Sequence, residues 1–134
     1  MKPLIQGIHH VALKCVGTRE FETTVSFYRD VLGLDVIRSW GEGERAGIML
    51  SAGGGLIEIF ANGSERLEQG AVRHFALATG DVDACVTAVR QAGYAVTVEP
   101  KEIVIGSVPP FPARVAFCIG PVGEEIEFFQ EHTS

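Results

Sequence analysis

The sequence predicts an α+β fold built from two β-α-β-β-β modules, and the main evidence is an internal repeat. A strand-like segment HHVALK is followed by a second one, LIEIF, and the later segments RHFAL and EIEFF repeat that order. His10 and Glu58 stand in the first pair of segments where His74 and Glu127 stand in the second. Such a recurrence indicates one supersecondary unit present twice.

The first module is predicted over about residues 4–62. A strand over 4–15 precedes a helix that begins at the N-cap Thr18 and ends at Gly33, because Thr favours the N-cap and Gly the C-terminal end of helices. Apolar residues at helical spacing should face the sheet; they are Phe21, Val25, Tyr28 and Leu32. Three further strands are expected over 35–40, 46–51 and 56–60, separated by the turn-prone segments GEGE and AGGG.

The second module is predicted over about residues 71–131. Its first strand covers 71–78, and its helix begins at the N-cap Asp81 and ends at Gly93. Strands over 95–99, 113–119 and 124–129 complete it. The segment VPPFP is too rich in proline for a central strand, so we expect a loop at the mouth of a site. Both modules should form a single domain over residues 1–134.

Composition narrows the classes of function. A formal charge of −6 and a pI near 5.1 argue against a nucleic-acid partner, since phosphate binding needs a clustered excess of Lys and Arg. Three cysteines without a Cys-x-x-Cys spacing are typical of a reduced protein without disulfides. No apolar run approaches the roughly 18–20 residues of a membrane span, and the N-terminus lacks the apolar core of a signal peptide. We therefore expect a soluble, cytoplasmic protein that binds no membrane.

Strand alternation sends the four repeated polar side chains to one face of each predicted sheet. The apolar neighbours of these His and Glu residues go to the opposite face, where the helices pack. If the two sheets curl into a cup, two imidazoles and two carboxylates converge, and a divalent cation compensates the cost of burying them. Mixed nitrogen and oxygen ligands suit nickel, cobalt, zinc, manganese or iron.

A lone His or Glu in a strand has a simpler reading, as a hydrogen-bonded structural residue or part of a solvated face. Four such residues at matching positions of a repeat favour the metal. His9 falls on the opposite strand face from His10 and is interpreted as structural, and His132 is interpreted as exposed.

These residues resemble the motifs of the vicinal oxygen chelate superfamily, the group of glyoxalases, bleomycin resistance proteins and extradiol dioxygenases. The likeness covers nearly the whole chain and includes HHVAL, IEIF, RHFAL, IEFFQ and the helical segment SFYRDVLGLDV. It implies two modules whose eight strands form a cup around one divalent metal ion. The ligands that it implies are His10, Glu58, His74 and Glu127.

The ligand set is most similar to that of single-domain glyoxalase I proteins, lactoylglutathione lyases that isomerise the hemithioacetal of methylglyoxal and glutathione. Methylmalonyl-CoA epimerases commonly carry Gln at the place of Glu58, and ring-cleaving dioxygenases typically use two His and one Glu. Asn62 stands where glyoxalases place an Asn that contacts glutathione, and it equally fits a turn residue. Lys14 stands where they tend to carry Arg, and it equally fits a charge at the pocket rim.

The resemblance also implies a mechanism. The metal would stabilise an enediolate next to a coordinated carbonyl, while Glu127 takes the carbon-bound proton and Glu58 serves as a second proton carrier or a fixed ligand. Two carboxylates that flank one carbon permit either isomerisation or epimerisation. A dioxygenase and a non-catalytic drug-sequestering protein are further alternatives.

Four aromatic residues are candidates for apolar walls, although ordinary core positions explain each of them: Trp40, Phe60, Phe111 and Phe117. Three arginines could hold a substrate carboxylate or phosphate, with a surface role as the default: Arg38, Arg45 and Arg114. Superfamily members often pair modules across chains, so we expect a homodimer that acts on a small molecule, such as a glutathione or other thiol adduct.

Overall fold

The computed structural model describes residues 3–4 and 6–132, and its contacts divide the chain after Arg66 into two compact units. Each unit holds one module with a helix and a four-stranded mixed sheet. The predicted pair of β-α-β-β-β modules is therefore confirmed, and the two units are described in turn.

The first unit contains β1 (His10–Lys14), α1 (Gly17–Ser26), β2 (Val36–Trp40), β3 (Gly47–Ser51) and β4 (Leu56–Phe60). The strand order is β1-β4-β3-β2, with β1 parallel to β4 and the other neighbours antiparallel. Helix α1 continues into a π-helical turn, Phe27–Val31. Gly33 ends the helical segment as predicted, since its φ of +77° lies in the left-handed region that favours glycine.

The second unit contains β5 (Phe75–Ala78), α2 (Val82–Gln91), β6 (Val96–Ile105), β7 (Phe111–Ile119) and β8 (Glu125–Glu131). Its strand order, β5-β8-β7-β6, repeats that of the first unit, again with a parallel first pair. No helix in the described part of the chain is long and apolar enough to cross a membrane.

One face of each sheet is covered by the helix of its own module. In the first unit, α1 packs on β4, and the fully buried apolar side chains include Ile59, Phe27 and Tyr28. In the second unit, α2 packs on β6, β7 and β8, and Val89 and Ile126 are fully buried. Each large apolar side chain buried in this way stabilises the fold by about 1.5–3 kcal/mol. The candidate Glu of each module lies on the opposite face of its sheet.

The first strand of each module is shorter than predicted. The strand expected over 4–15 begins at His10, and the one expected over 71–78 begins at Phe75; Ile5, inside the first prediction, lies outside the described residues. Both are edge strands whose length depends on a single partner. His10 pairs with Leu56, where β4 begins, so the ladder extends no further.

The hairpin between β6 and β7 is longer than predicted. Strand β6 continues to Ile105, and β7 begins at Phe111, so the end of VPPFP is strand and not loop. Pro112 lies at the end of the β7–β8 ladder, where β8 ends at Glu131, the partner of Ala113. Its carbonyl accepts a hydrogen bond from the His132 amide at 3.2 Å, so its missing N–H faces the side on which this ladder stops, where proline is tolerated.

The helix N-termini differ between the modules. Asp81 is the N-cap of α2, as predicted, and its side chain accepts a hydrogen bond from the Ala84 amide at 3.0 Å. The prediction of Thr18 as the N-cap of α1 is wrong, because the helix already begins at Gly17. There the Glu20 carboxylate accepts a hydrogen bond from the Val16 amide at 3.0 Å.

We predict that Asp81→Ala lowers the free energy of unfolding by about 1 kcal/mol, the usual cost of losing an N-cap acceptor. Thr18→Ala, at the position that is not a cap, should change it by less than about 0.5 kcal/mol. Urea denaturation followed by circular dichroism measures both values. Equal losses in the two variants would contradict this assignment of the caps.

Among the three cysteines, Cys15 and Cys118 are buried and Cys85 is partly exposed. Burial raises the pKa of the Cys118 thiol to about 12. The thiolate is the reactive form, so this thiol is protected by protonation as well as by packing.

We predict that iodoacetamide at about pH 8 labels Cys85 in the native protein about a hundredfold faster than the other two cysteines. Mass spectrometry of tryptic peptides measures the rates, and rapid native labelling of Cys118 would contradict the buried assignment.

Candidate functional site

The first candidate pair lies on the face of the first sheet opposite α1. His10 opens β1, and Glu58 lies in the middle of β4, opposite Ala12. The His10 Nε2 atom is 3.2 Å from Glu58 Oε1. The imidazole is 38% exposed, whereas the carboxylate side chain is only 10% exposed. The pair therefore combines a partly exposed imidazole with a nearly buried carboxylate.

The second candidate pair repeats this geometry in the other module. His74 directly precedes β5, and Glu127 lies in β8, opposite Ala76. The His74 Nε2 atom is 3.3 Å from Glu127 Oε1, and the two side chains are 38% and 13% exposed. In both modules the Glu thus pairs with the residue two positions after the His. Sequence reasoning matched these residues correctly within each module.

The two separations fit donors that share a metal ion. Ligands bonded at about 2.1 Å lie about 3.0 Å apart in an octahedral site and about 3.4 Å apart in a tetrahedral one. A charge-assisted hydrogen bond is shorter, at about 2.7–2.9 Å. Among the described residues, no group of three or more His, Cys, Asp or Glu is placed to hold a metal ion. Each module by itself thus supplies a pair of donors, fewer than the three or four protein ligands of a usual site.

Register places three cross-strand rows of side chains on the Glu58 face of the first sheet. They are Ser51–Leu56–His10, then Arg38–Met49–Glu58–Ala12, then Trp40–Gly47–Phe60–Lys14. Lys14, a predicted substrate-binding residue, thus shares the face of Glu58 but lies at the far end of β1 from His10. Asn62, the other one, follows β4 at that same end and forms an isolated bridge with Val16.

The aromatic candidates lie on the sheet faces that carry the His–Glu pairs. Trp40 and Phe60 meet edge to face with ring centroids 6.2 Å apart, and Phe111 meets Phe129 in the same way at 6.0 Å. Phe60 and Phe129 each stand two residues after the Glu of their module. Trp40 and Phe111 are 38% and 37% exposed, so the core reading is wrong for both. Phe117 packs edge to face on the His74 ring at 5.3 Å.

The three arginine candidates differ in their partners. Arg114 donates two hydrogen bonds to the Asp83 carboxylate, at 2.8 and 2.9 Å, and a third to Glu102. These hydrogen bonds with Arg114 lower the pKa of the Asp83 carboxyl. The positive charge of the guanidinium is therefore already balanced by carboxylates. Arg45 lies in an exposed 3₁₀ turn. Arg38 lies on the Glu58 face, beside Met49.

His9 contacts the candidate site, which sequence reasoning missed. Its Nδ1 atom is 2.9 Å from Nδ1 of His10, and the two rings meet edge to face. The prediction that it lies on the opposite strand face from His10 is wrong, because β1 begins at His10 and strand alternation does not extend to residue 9. The same stretch gave a weak signal in the form of two adjacent histidines.

Solved structures with the same fold share about a fifth of the residues of this chain. An antibiotic-binding protein, TnmS3 from Streptomyces sp. CB03234, is 20% identical with a TM-score of 0.71, over 98% of this chain and 100% of the other. A lactoylglutathione lyase from Agrobacterium tumefaciens is 18% identical with a TM-score of 0.62, over 94% of each chain. A glyoxalase/bleomycin resistance protein/dioxygenase from Alicyclobacillus acidocaldarius is 19% identical with a TM-score of 0.66, over 96% and 93%.

At these identities, the likeness establishes the fold alone. No protein with a curated function matches the chain. A family model, that of the Glyoxalase/Bleomycin resistance protein/Dioxygenase superfamily, matches residues 7–128. This range holds both His–Glu pairs and nearly all of both modules, and the chain therefore belongs to the glyoxalase/bleomycin resistance protein/dioxygenase superfamily.

Proposed function

We propose that the protein is a divalent-metal-dependent lyase or isomerase of the glyoxalase I type. The observation that carries this proposal is the repetition of one donor pair, with Nε2–Oε1 separations of 3.2 and 3.3 Å in the two modules. His10, Glu58, His74 and Glu127 would hold one ion of nickel, cobalt, zinc, manganese or iron. Two nitrogens and two oxygens suit these metals.

The two carboxylates have distinct roles in this proposal. A divalent cation bound there would supply Lewis-acid chemistry that acidifies the carbon next to a substrate carbonyl. Glu127 is the base whose carboxylate oxygen takes the carbon-bound proton. Glu58 stays a fixed ligand or returns a proton from the other side. Both side chains are mostly shielded from water, at 13% and 10% exposure, which limits proton exchange with solvent. The same arrangement serves an epimerase.

The substrate of the glyoxalase proposal is a glutathione or other thiol adduct. Lys14 and Asn62 are its proposed contacts, and both lie at the end of the first sheet where β4 finishes. Lys14 is exposed, so its ammonium group is available to a substrate carboxylate.

We further propose a homodimer in the cytoplasm. Each module supplies two donors, so a complete site arises when two modules face each other, within one chain or across two. Three cysteines without a Cys-x-x-Cys spacing support a reducing compartment.

A second candidate function is a non-catalytic small-molecule-binding protein. The observation that favours it is the exposure of Trp40 and Phe111, each in an aromatic pair beside a His–Glu pair. Such rings suit a bound apolar molecule whether or not a reaction follows.

We predict that metal-stripped protein loaded with nickel, cobalt or zinc converts the methylglyoxal–glutathione hemithioacetal to its thioester, followed by the thioester absorbance. Glu127→Gln should lower kcat by about 10²–10⁴-fold, the usual contribution of a general base. Glu131→Gln removes an exposed carboxylate at the end of the same strand, so it should leave kcat unchanged.

Stoichiometric metal without turnover would reject this substrate and leave an epimerase or another isomerase. Oxygen uptake with a catechol on the ferrous protein would instead identify a dioxygenase. Failure to bind metal would overturn the enzyme proposal in favour of the binding protein.

A further inference from the structure

The first module carries, beside the His10–Glu58 pair, a group of side chains that the proposed chemistry does not use. We propose that Arg38, Trp40 and Phe60 form a subsite for the part of the substrate remote from the metal. The chemistry of the subsite selects a planar apolar group that bears a carboxylate. This inference rests on the proposed function and names the substrate class of the same site.

The subsite shares one sheet face with the candidate metal ligands. Arg38 pairs with Met49, which pairs with Glu58, so the three side chains form one row across β2, β3 and β4. Two strand spacings separate the backbones of Arg38 and Glu58 by about 10 Å. Trp40 stands two residues after Arg38, about 7 Å along the same strand. A ligand of the size of a substituted aromatic acid spans these distances.

Because Gly47 has no side chain, the indole of Trp40 lies close against the sheet. A Cβ atom built on Gly47 would lie 2.3 Å from Cε2 and 2.4 Å from Cζ2 of Trp40, closer than any side chain permits. The indole therefore lies over the glycine, with Phe60 at its edge. The Trp40 residue remains 38% exposed. A ring held in place on one side and open on the other is suited to stack with a planar ligand.

Arg38 supplies the charge. Among the described residues, its side chain makes one hydrogen bond, from Nη1 to Met49 Sδ at 3.3 Å, and no carboxylate pairs with it. Arg114, in contrast, is fully engaged with two carboxylates. A planar guanidinium with free donors recognises a carboxylate through two parallel hydrogen bonds.

Lys14 lies farther from Trp40 than Arg38 does. It belongs to the row of Trp40 but neighbours Phe60, and its backbone is three strand spacings, or about 14 Å, from that of Trp40. Arg38 stands on the same strand as Trp40, so it is the nearer cation for a carboxylate attached to a ring on the indole.

The test uses metal-stripped protein and three probes: phenylacetate has a ring and a charge, phenylacetamide has the ring alone, and acetate has the charge alone. Trp40 is the single tryptophan of the chain, so its fluorescence reports directly on the subsite, and calorimetry gives Kd independently. Phenylacetate should quench saturably and bind at least about tenfold more tightly than either other probe, since a charged hydrogen bond contributes that much.

Two variants separate the charge from the ring platform. Arg38→Met keeps the stem of the side chain and should weaken phenylacetate about tenfold, to the level of phenylacetamide. Gly47→Ala keeps Arg38 but displaces the indole, so it should weaken both ring-bearing probes. Arg19→Met removes an exposed arginine of α1, on the other side of the same sheet, and is the matched control, with unchanged Kd. Circular dichroism confirms that each variant is folded.

Equal affinity for phenylacetate and phenylacetamide, or an unchanged Kd in Arg38→Met, would overturn the proposal, as would the lack of saturable quenching by phenylacetate. Since no metal is present, this result is independent of turnover. Phenylacetate binding without metal-dependent chemistry would overturn the lyase proposal alone. Turnover with no effect of Arg38→Met on KM or Kd would overturn the subsite alone.

Discussion

The alternation of side chains along a β-strand is the constraint on which the rest of this structure depends. In each module a Glu stands between two large apolar residues in the strand paired with the first strand. The apolar neighbours must go under the helix, where Ile57, Ile59 and Ile126 are buried. The pleat then directs Glu58 and Glu127 to the other face. A one-residue slip of register would exchange the core and the site.

This constraint explains how far the sequence could predict the structure. Period-two patterns and turn glycines predicted both modules, and β4 was predicted with the bounds that the structure has. The His–Glu pairing within each module also followed from the repeat. Strand ends were predicted less well, because the length of an edge strand such as β1 depends on its partner and not on its own residues.

Tertiary contacts account for what the sequence could not predict. Tryptophan is usually a core residue, but Trp40 is 38% exposed. Its indole lies over Gly47, which has no side chain, on the face of the sheet that carries Glu58. A glycine inside a predicted strand was the available signal, since it often marks a close approach. Arg38 and Arg114 are indistinguishable in sequence. Only the fold pairs Arg114 with Asp83 and places Arg38 in the cross-strand row of Glu58, with Met49 between them.

We propose that one metal ion takes ligands from both modules, and X-ray absorption by bound cobalt counts these ligands. With one equivalent of cobalt on metal-stripped protein, we expect two imidazoles per ion. His10→Ala and His74→Ala should each leave one, because each module contributes a single ring. A single imidazole in the unmodified protein, or a count that either variant leaves unchanged, would contradict a shared site.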